Sequence, residues 1–178
     1  FDAAAGAYAE TNAEVRSTPI SSLMCASSPV PYQQGDAAPA RSDYAGCHHD
    51  VEAPIDVDNN GLLFLNSKIR YAEIQDGAAI TLLIGEALTT PEGLGWVSGT
   101  RATLRNTGAF EKSKPYLPSL AQDANEEGAA SGSLSVGGFG SYHPGGMNAG
   151  FADGSTRFLS QSIDPEILRR IGNRADGE

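Results

Sequence analysis

The stretch Phe139-Gly140-Ser141-Tyr142-His143-Pro144-Gly145-Gly146-Met147-Asn148-Ala149-Gly150-Phe151-Ala152-Asp153-Gly154-Ser155-Thr156-Arg157-Phe158-Leu159 decides the fold class. Phe139 to His143, Met147 to Ala152 and Ser155 to Leu159 read as short strands. They are joined by Pro144-Gly145-Gly146 and by Asp153-Gly154, the second a strong two-residue hairpin signal. An antiparallel meander is predicted. Alternation along its last strand places Thr156 and Phe158 on one face, Arg157 and Leu159 on the other.

A helix should follow directly. Asp164 can cap it, Pro165 suits its first position, and Glu166 places an acid in the first turn. Ile163 and Leu168 would make a hydrophobic staple, Ile167 and Ile171 would share one face, and Gly172 would end it. Arg169, Arg170 and Arg174 favour the negative end of its dipole.

Working towards the N-terminus, Gly61 to Leu65, Ile80 to Ile84, Leu94 to Val97 and Arg101 to Leu104 read as further strands, with Asn106-Thr107-Gly108 as a turn. Ile69 to Gln75 fits one helical turn ended by Asp76-Gly77. Asp2 to Ser17 suits a short helix weakened by Gly6 and Asn12. Ala26 to Ser42 reads as a long loop, and so does the acidic, then Gly- and Ser-rich stretch from Asp123 to Gly140. No internal repeat divides the chain. One α+β domain over residues 1–178 is predicted, with a mostly antiparallel sheet, a loop-rich surface and a short C-terminal helix.

Composition narrows the function classes. With 40% hydrophobic residues the chain can bury a core, so it is not a disordered tail. A formal charge of −10 repels a phosphate backbone, which argues against nucleic acid as a partner. No apolar run approaches the roughly 20 residues of a membrane helix. Most of the acidic excess lies before Asn66, where it suits cations or cationic partners.

Several constellations could carry chemistry. Asp56-Val57-Asp58-Asn59-Asn60-Gly61 has the alternating oxygens and the glycine that open a calcium loop. Asp56, Asp58, Asn60 and the Leu62 carbonyl are the candidate ligands. The twelfth position is Ser67 rather than an acid, so Asp50 or Glu52 would have to complete the site, or the segment is a simple turn. Cys47-His48-His49-Asp50 has zinc-type residues, but neighbours on an extended chain point apart, and a surface loop with exposed histidines is the expectation. Cys25 and Cys47 are the only cysteines. A bridge between them is expected, with two thiols as the alternative, and a bridge implies an oxidising compartment. His143 and Asp153 flank one predicted strand and could form a clasp, or with Ser141 or Ser155 imitate a hydrolase triad. Neither serine stands in a Gly-x-Ser-x-Gly elbow, so a structural histidine is expected. Gly128 to Gly140 lacks the ending of a phosphate loop. Trp96, Tyr116 and Tyr142 offer stacking surface to a sugar or peptide, or simply belong to core and rim.

The segment His143-x9-Asp153-Gly154 resembles the His-x9-Asp-Gly signature of a large pilin-like family of unknown function, sometimes labelled solute-binding-like. Cys25-Ala26-Ser27-Ser28-Pro29 is similar to that family's Cys-Pro-Ser-Asp segment, and Ser42-Asp43-Tyr44-Ala45-Gly46 to its Ser-Tyr-x-Gly segment. Ile74-Gln75-Asp76-Gly77 through Gly85-Glu86 is similar to its Ile-x-Asp-Gly…Gly-Glu segment, and the terminal Gly177-Glu178 fits as well. Ala26 and Cys47 depart from the pattern. The resemblance implies the globular head of a type IV pilin or type II secretion pseudopilin, outside the cytoplasm and non-enzymatic. Its implied partners are other pilin-like subunits or secretion-system components. It implies membrane contact only through a hydrophobic N-terminal helix missing from this sequence, and it favours calcium at the Asp56 loop. The other class in view is an extracytoplasmic module binding a sugar, a peptide or another small ligand.

Overall fold

The computed structural model describes residues 1–30, 38–88, 94–112 and 135–177. Its frame is one sheet built from β1 (Tyr44–His49), β2 (Leu82–Glu86), β3 (Leu104–Lys112), β4 (Gly138–Ser141), β5 (Gly146–Phe151) and β6 (Thr156–Ser160). The spatial order is β4-β3-β1-β2-β5-β6. β1–β2, β2–β5 and β5–β6 pair antiparallel, whereas β3 runs parallel to both β1 and β4. Helix α1 (Ala13–Ser17) stands near the N-terminus and α2 (Pro165–Gly172) near the C-terminus. The α+β class with a mostly antiparallel sheet therefore holds. Among the described residues no helix is long and apolar enough to cross a membrane.

The predicted meander is half right. β5 and β6 form the hairpin with Gly154 at φ +84°, the left-handed conformation a glycine adopts without Cβ strain. β4 instead crosses to the opposite edge and joins β3. The sheet curls so that Phe139 of β4 lies over β2. A Cβ at Gly85 would come 2.8 Å from the Phe139 ring and 3.3 Å from Met147 Cε. Phe139, Met147, Leu82, Phe151, Ala45, Cys47 and Ala149 make the buried core there. Each of its large apolar side chains contributes roughly 1.5–3 kcal/mol by leaving water.

Several strand assignments change. Gly61 to Leu65 is irregular because Leu62 and Leu63 both donate to the Cys47 carbonyl, a shared acceptor rather than a ladder. Ile80 and Thr81 are still in a turn closed on the Gly77 carbonyl, so β2 starts two residues later than the apolar run. Leu94 to Val97 is irregular chain leading into a turn, in which Gly95, at φ +70°, packs on Pro39. Asn106-Thr107-Gly108 is strand rather than turn: β1 and β4 pair on either side of β3, and Asn106 Nδ2 donates to the Gly137 carbonyl and Glu52. β1 is a strand where a loop was predicted, and His48 inside it is fully buried.

Helix α2 starts as predicted, with Asp164 Oδ1 accepting from the Glu166 and Ile167 amides. Its inward face is Leu168 and Ile171, while Ile167 is exposed. Gly172 is its last residue and packs tightly on β3. A Cβ there would lie 1.9 Å from Thr107 Oγ1 of β3. The N-terminal helix is shorter than predicted, preceded by a 3-10 turn at Glu10–Asn12. The one-turn helix near Ile69 is a 3-10 turn at Tyr71–Glu73. Residues 113–134 lie outside the described residues, and with them Tyr116 and most of the Gly- and Ser-rich loop.

Candidate functional site

Antiparallel pairing brings the start of β1, the end of β2 and the start of β5 to one end of the sheet. Tyr142 to Gly145 ties the end of β4 to the same place. Four side chains from distant segments meet there: Cys25, Asp43, Glu86 and His143.

Glu86 is the centre and is 2% exposed. Its Oε2 accepts from Ser141 Oγ at 2.8 Å and from the Asn148 amide at 2.7 Å. Its Oε1 accepts from Asn148 Nδ2 at 3.2 Å and lies 3.1 Å from His143 Nε2 and 3.5 Å from Cys25 Sγ. Burial alone would raise this carboxyl. The Asn148 and Ser141 hydrogen bonds, with the His143 charge, outweigh burial and hold it below the ordinary range, so it is a carboxylate at neutral pH.

Cys25 Sγ also lies 3.4 Å from His143 Nε2. Burial, then the neighbouring Glu86 and Asp43 carboxylates, push its thiol up. Asp43 Oδ2 accepts from the Cys25 amide at 2.8 Å, and Asp43 Oδ1 pairs with Arg41, which also donates to Ser28 Oγ. Asp43 thus ties the Cys25 turn to β1, and its carbonyl accepts from the Ala87 amide just past β2. Among the described residues, Cys25, Glu86 and His143 form the one group of three or more Cys, His, Asp and Glu side chains whose ligand atoms all lie within 4.8 Å of one another. His143 further lines a cleft of about 400 Å³ with Phe110, Glu111, Ser141, Tyr142 and Gln161.

The predicted pairs separate. His143 and Asp153 stand at opposite ends of β5, and Asp153 Oδ1 accepts from the Ser155 amide within the hairpin turn. No triad forms at Ser141: its hydroxyl donates to Glu86 and accepts from the backbone amide of His143, not from the ring. The expected disulfide is absent, for each sulfur is committed elsewhere. Cys25 faces Glu86 and His143, whereas Cys47 is buried against the Gly172 carbonyl at 3.6 Å. Burial pushes the Cys47 thiol up to about 12.

His48 and His49 are not an exposed pair. His48 Nδ1 lies 3.2 Å from Asn59 Oδ1, and burial lowers its pKa. His49 Nδ1 lies 2.7 Å from Asp50 Oδ1. In the Asp56 loop, Asn59 organises the turn, accepting from the Asp56 amide and donating to the Pro54 carbonyl. Asn60 Oδ1 accepts from the Asp50 amide, Asp56 and Asp58 are exposed, and Leu62 is buried. Trp96 Nε1 donates to the Thr18 carbonyl, and Tyr142 lines the cleft.

Sequence reasoning assigned no role to Asp43 or Glu86. Each stands in a segment similar to a family motif, Ser42 to Gly46 and Gly85-Glu86, so the linked motifs were the signal. Fold and site together define an α+β protein whose sheet end is locked by a buried cysteine–glutamate–histidine cluster. The chain belongs to the DUF1559 family, proteins of unknown function, which it matches over residues 1–166. No curated protein and no solved structure matches it.

Proposed function

We propose that the chain is the head of an exported, non-enzymatic, pilin-like or pseudopilin-like structural subunit, acting outside the cytoplasm. The observation that carries the non-enzymatic part is the saturation of Glu86. Its two oxygens serve Ser141, both nitrogens of Asn148, His143 and Cys25. A carboxylate so committed is a clamp between chain segments. In a nucleophile-and-base pair a third group normally orients the base through its far ring nitrogen, whereas Glu86 and Cys25 both address Nε2.

Partners in this reading are other subunits of the same kind or secretion-system components. An apolar groove of about 330 Å³ lined by Leu62, Leu63, Ile69, Tyr71, Ile74 and Leu83 supplies a face for such contacts. The test is expression with whatever its gene encodes upstream, followed by fractionation and shearing of surface fibres. Recovery with membrane or fibre supports the reading; a free soluble protein in every fraction removes it. Calcium at Asp56, Asp58, Asn60 and Leu62 would be an accessory of this reading. Calorimetric titration with an Asp58→Ala control tests it, and no heat from the wild type disposes of it.

A second reading has its own observation. The cleft beside His143 is polar and carries Glu111, Tyr142 and Gln161, groups suited to a sugar, a peptide or another small ligand. Thermal-shift screening against such compounds separates the two, since a structural head gains no stability from any of them.

A further inference from the structure

We propose that Cys25 Sγ, Glu86 Oε1 and His143 Nε2 are three ligands of a tetrahedral site for a zinc-class divalent transition-metal ion. The three atoms form a triangle with S···N 3.4 Å, S···O 3.5 Å and N···O 3.1 Å. Tetrahedral zinc with bonds of ~2.3 Å to sulfur, ~2.05 Å to nitrogen and ~2.0 Å to oxygen requires edges of about 3.6, 3.5 and 3.3 Å. The observed triangle matches one face of that tetrahedron to about 0.2 Å. The sulfur selects against calcium and magnesium, which take oxygen ligands.

The supporting shell is already built. Ser141 and the Asn148 amide hold Glu86 Oε2, and Asn148 Nδ2 donates to Oε1, which turns its remaining lone pair towards the ion. Asp43, anchored by Arg41, fixes the Cys25 backbone. Such outer partners orient ligands and raise affinity. Binding forms three coordinate bonds, releases the Cys25 thiol proton to solvent and leaves the His143 ring proton on Nδ1. The ion's two positive charges then balance one thiolate and one carboxylate. Water from the cleft completes the fourth position, because the His143 side chain is 29% exposed and lines that cleft. This inference is independent of the pilin-like reading, and either can fail alone.

The experiment uses the full chain, stripped with chelator and titrated with Co²⁺, followed by Zn²⁺ competition. The expected result is saturation at one equivalent, tetrahedral visible bands, a near-ultraviolet thiolate-to-cobalt band, and displacement by Zn²⁺. Cys25→Ser should abolish the thiolate band and weaken Zn²⁺ binding by on the order of a hundredfold, with Cys47→Ser retaining both. His143→Gln, with its fold checked by circular dichroism, should lose affinity while any bound cobalt keeps the thiolate band. Absence of stoichiometric binding by the wild-type chain overturns the site, whatever the variants do. Retention of the band in Cys25→Ser, its loss in Cys47→Ser, or unchanged affinity in a folded His143→Gln also overturns it.

Discussion

The imidazole of His143 meets the carboxylate of Glu86 at 3.1 Å, and Asp153, ten residues further along the same motif, takes no part in the contact. The motif therefore spans one hairpin strand with a different task at each end. His143 closes the buried cluster, and Asp153-Gly154 shapes the turn into β6.

Glu86 should be the residue least tolerant of change at this end of the sheet. Glu86→Gln replaces an acceptor oxygen by a donor facing Ser141, Asn148 and His143, and leaves buried groups mismatched. A loss of about 2–3 kcal/mol is expected, since hydrogen bonds to charged groups contribute that much and unmet buried ones cost more. Urea unfolding of wild type and variant measures it. Unchanged midpoints would mean the carboxylate clamps nothing.

Gly172→Ala should destabilise, although glycine to alanine inside a helix normally gains up to about 1 kcal/mol. The new Cβ would lie 1.9 Å from Thr107 Oγ1, so α2 must lift off β3. Overpacking of this kind costs about 1–3 kcal/mol, and thermal unfolding should show a lower midpoint. Gly172→Ala combined with Thr107→Ala should recover part of the loss.

Asp50 supplies the acid side of the pH dependence. Burial would raise its carboxyl, but the Asn60 and Asn173 hydrogen bonds and the His49 and Arg169 charges hold it below the ordinary value. Because the folded pKa is depressed, the native state is favoured once the unfolded group ionises, above about pH 4. That contribution disappears as pH falls through the folded pKa. The stability difference between wild type and Asp50→Asn should thus be full near neutrality and shrink below about pH 4. A difference constant across a urea series from pH 3 to pH 7 would contradict the assignment.

Both cysteines should be reduced and slow to react. Cys25 and Cys47 are buried, and their pKa values are raised. Thiol titration without reductant should find almost none in the native protein and two per chain in denaturant. A count near zero in denaturant would restore the disulfide.

Much of the local grammar was legible. The hairpin at Asp153-Gly154 and the start of α2 rest on turn and cap chemistry within a few residues, and both stand where the sequence put them. β1 was not legible. Tyr44 to His49 carries two histidines and a glycine where alternation was sought, and it is a strand because β2 and β3 pair on either side of it. The same holds for Asn106 to Gly108, turn residues by composition that two neighbouring strands hold extended.

By itself the sequence determined the α+β class, the closing hairpin and helix, and the set of motif segments that includes Cys25, Asp43, Glu86 and His143. Only the tertiary structure decided that these four meet, that Asp153 does not join them, and that the two sulfurs stay apart. The physical reason is range. Turns and caps are set by neighbours along the chain, whereas the cluster depends on strand order and on a sheet curled enough to carry β4 over β2.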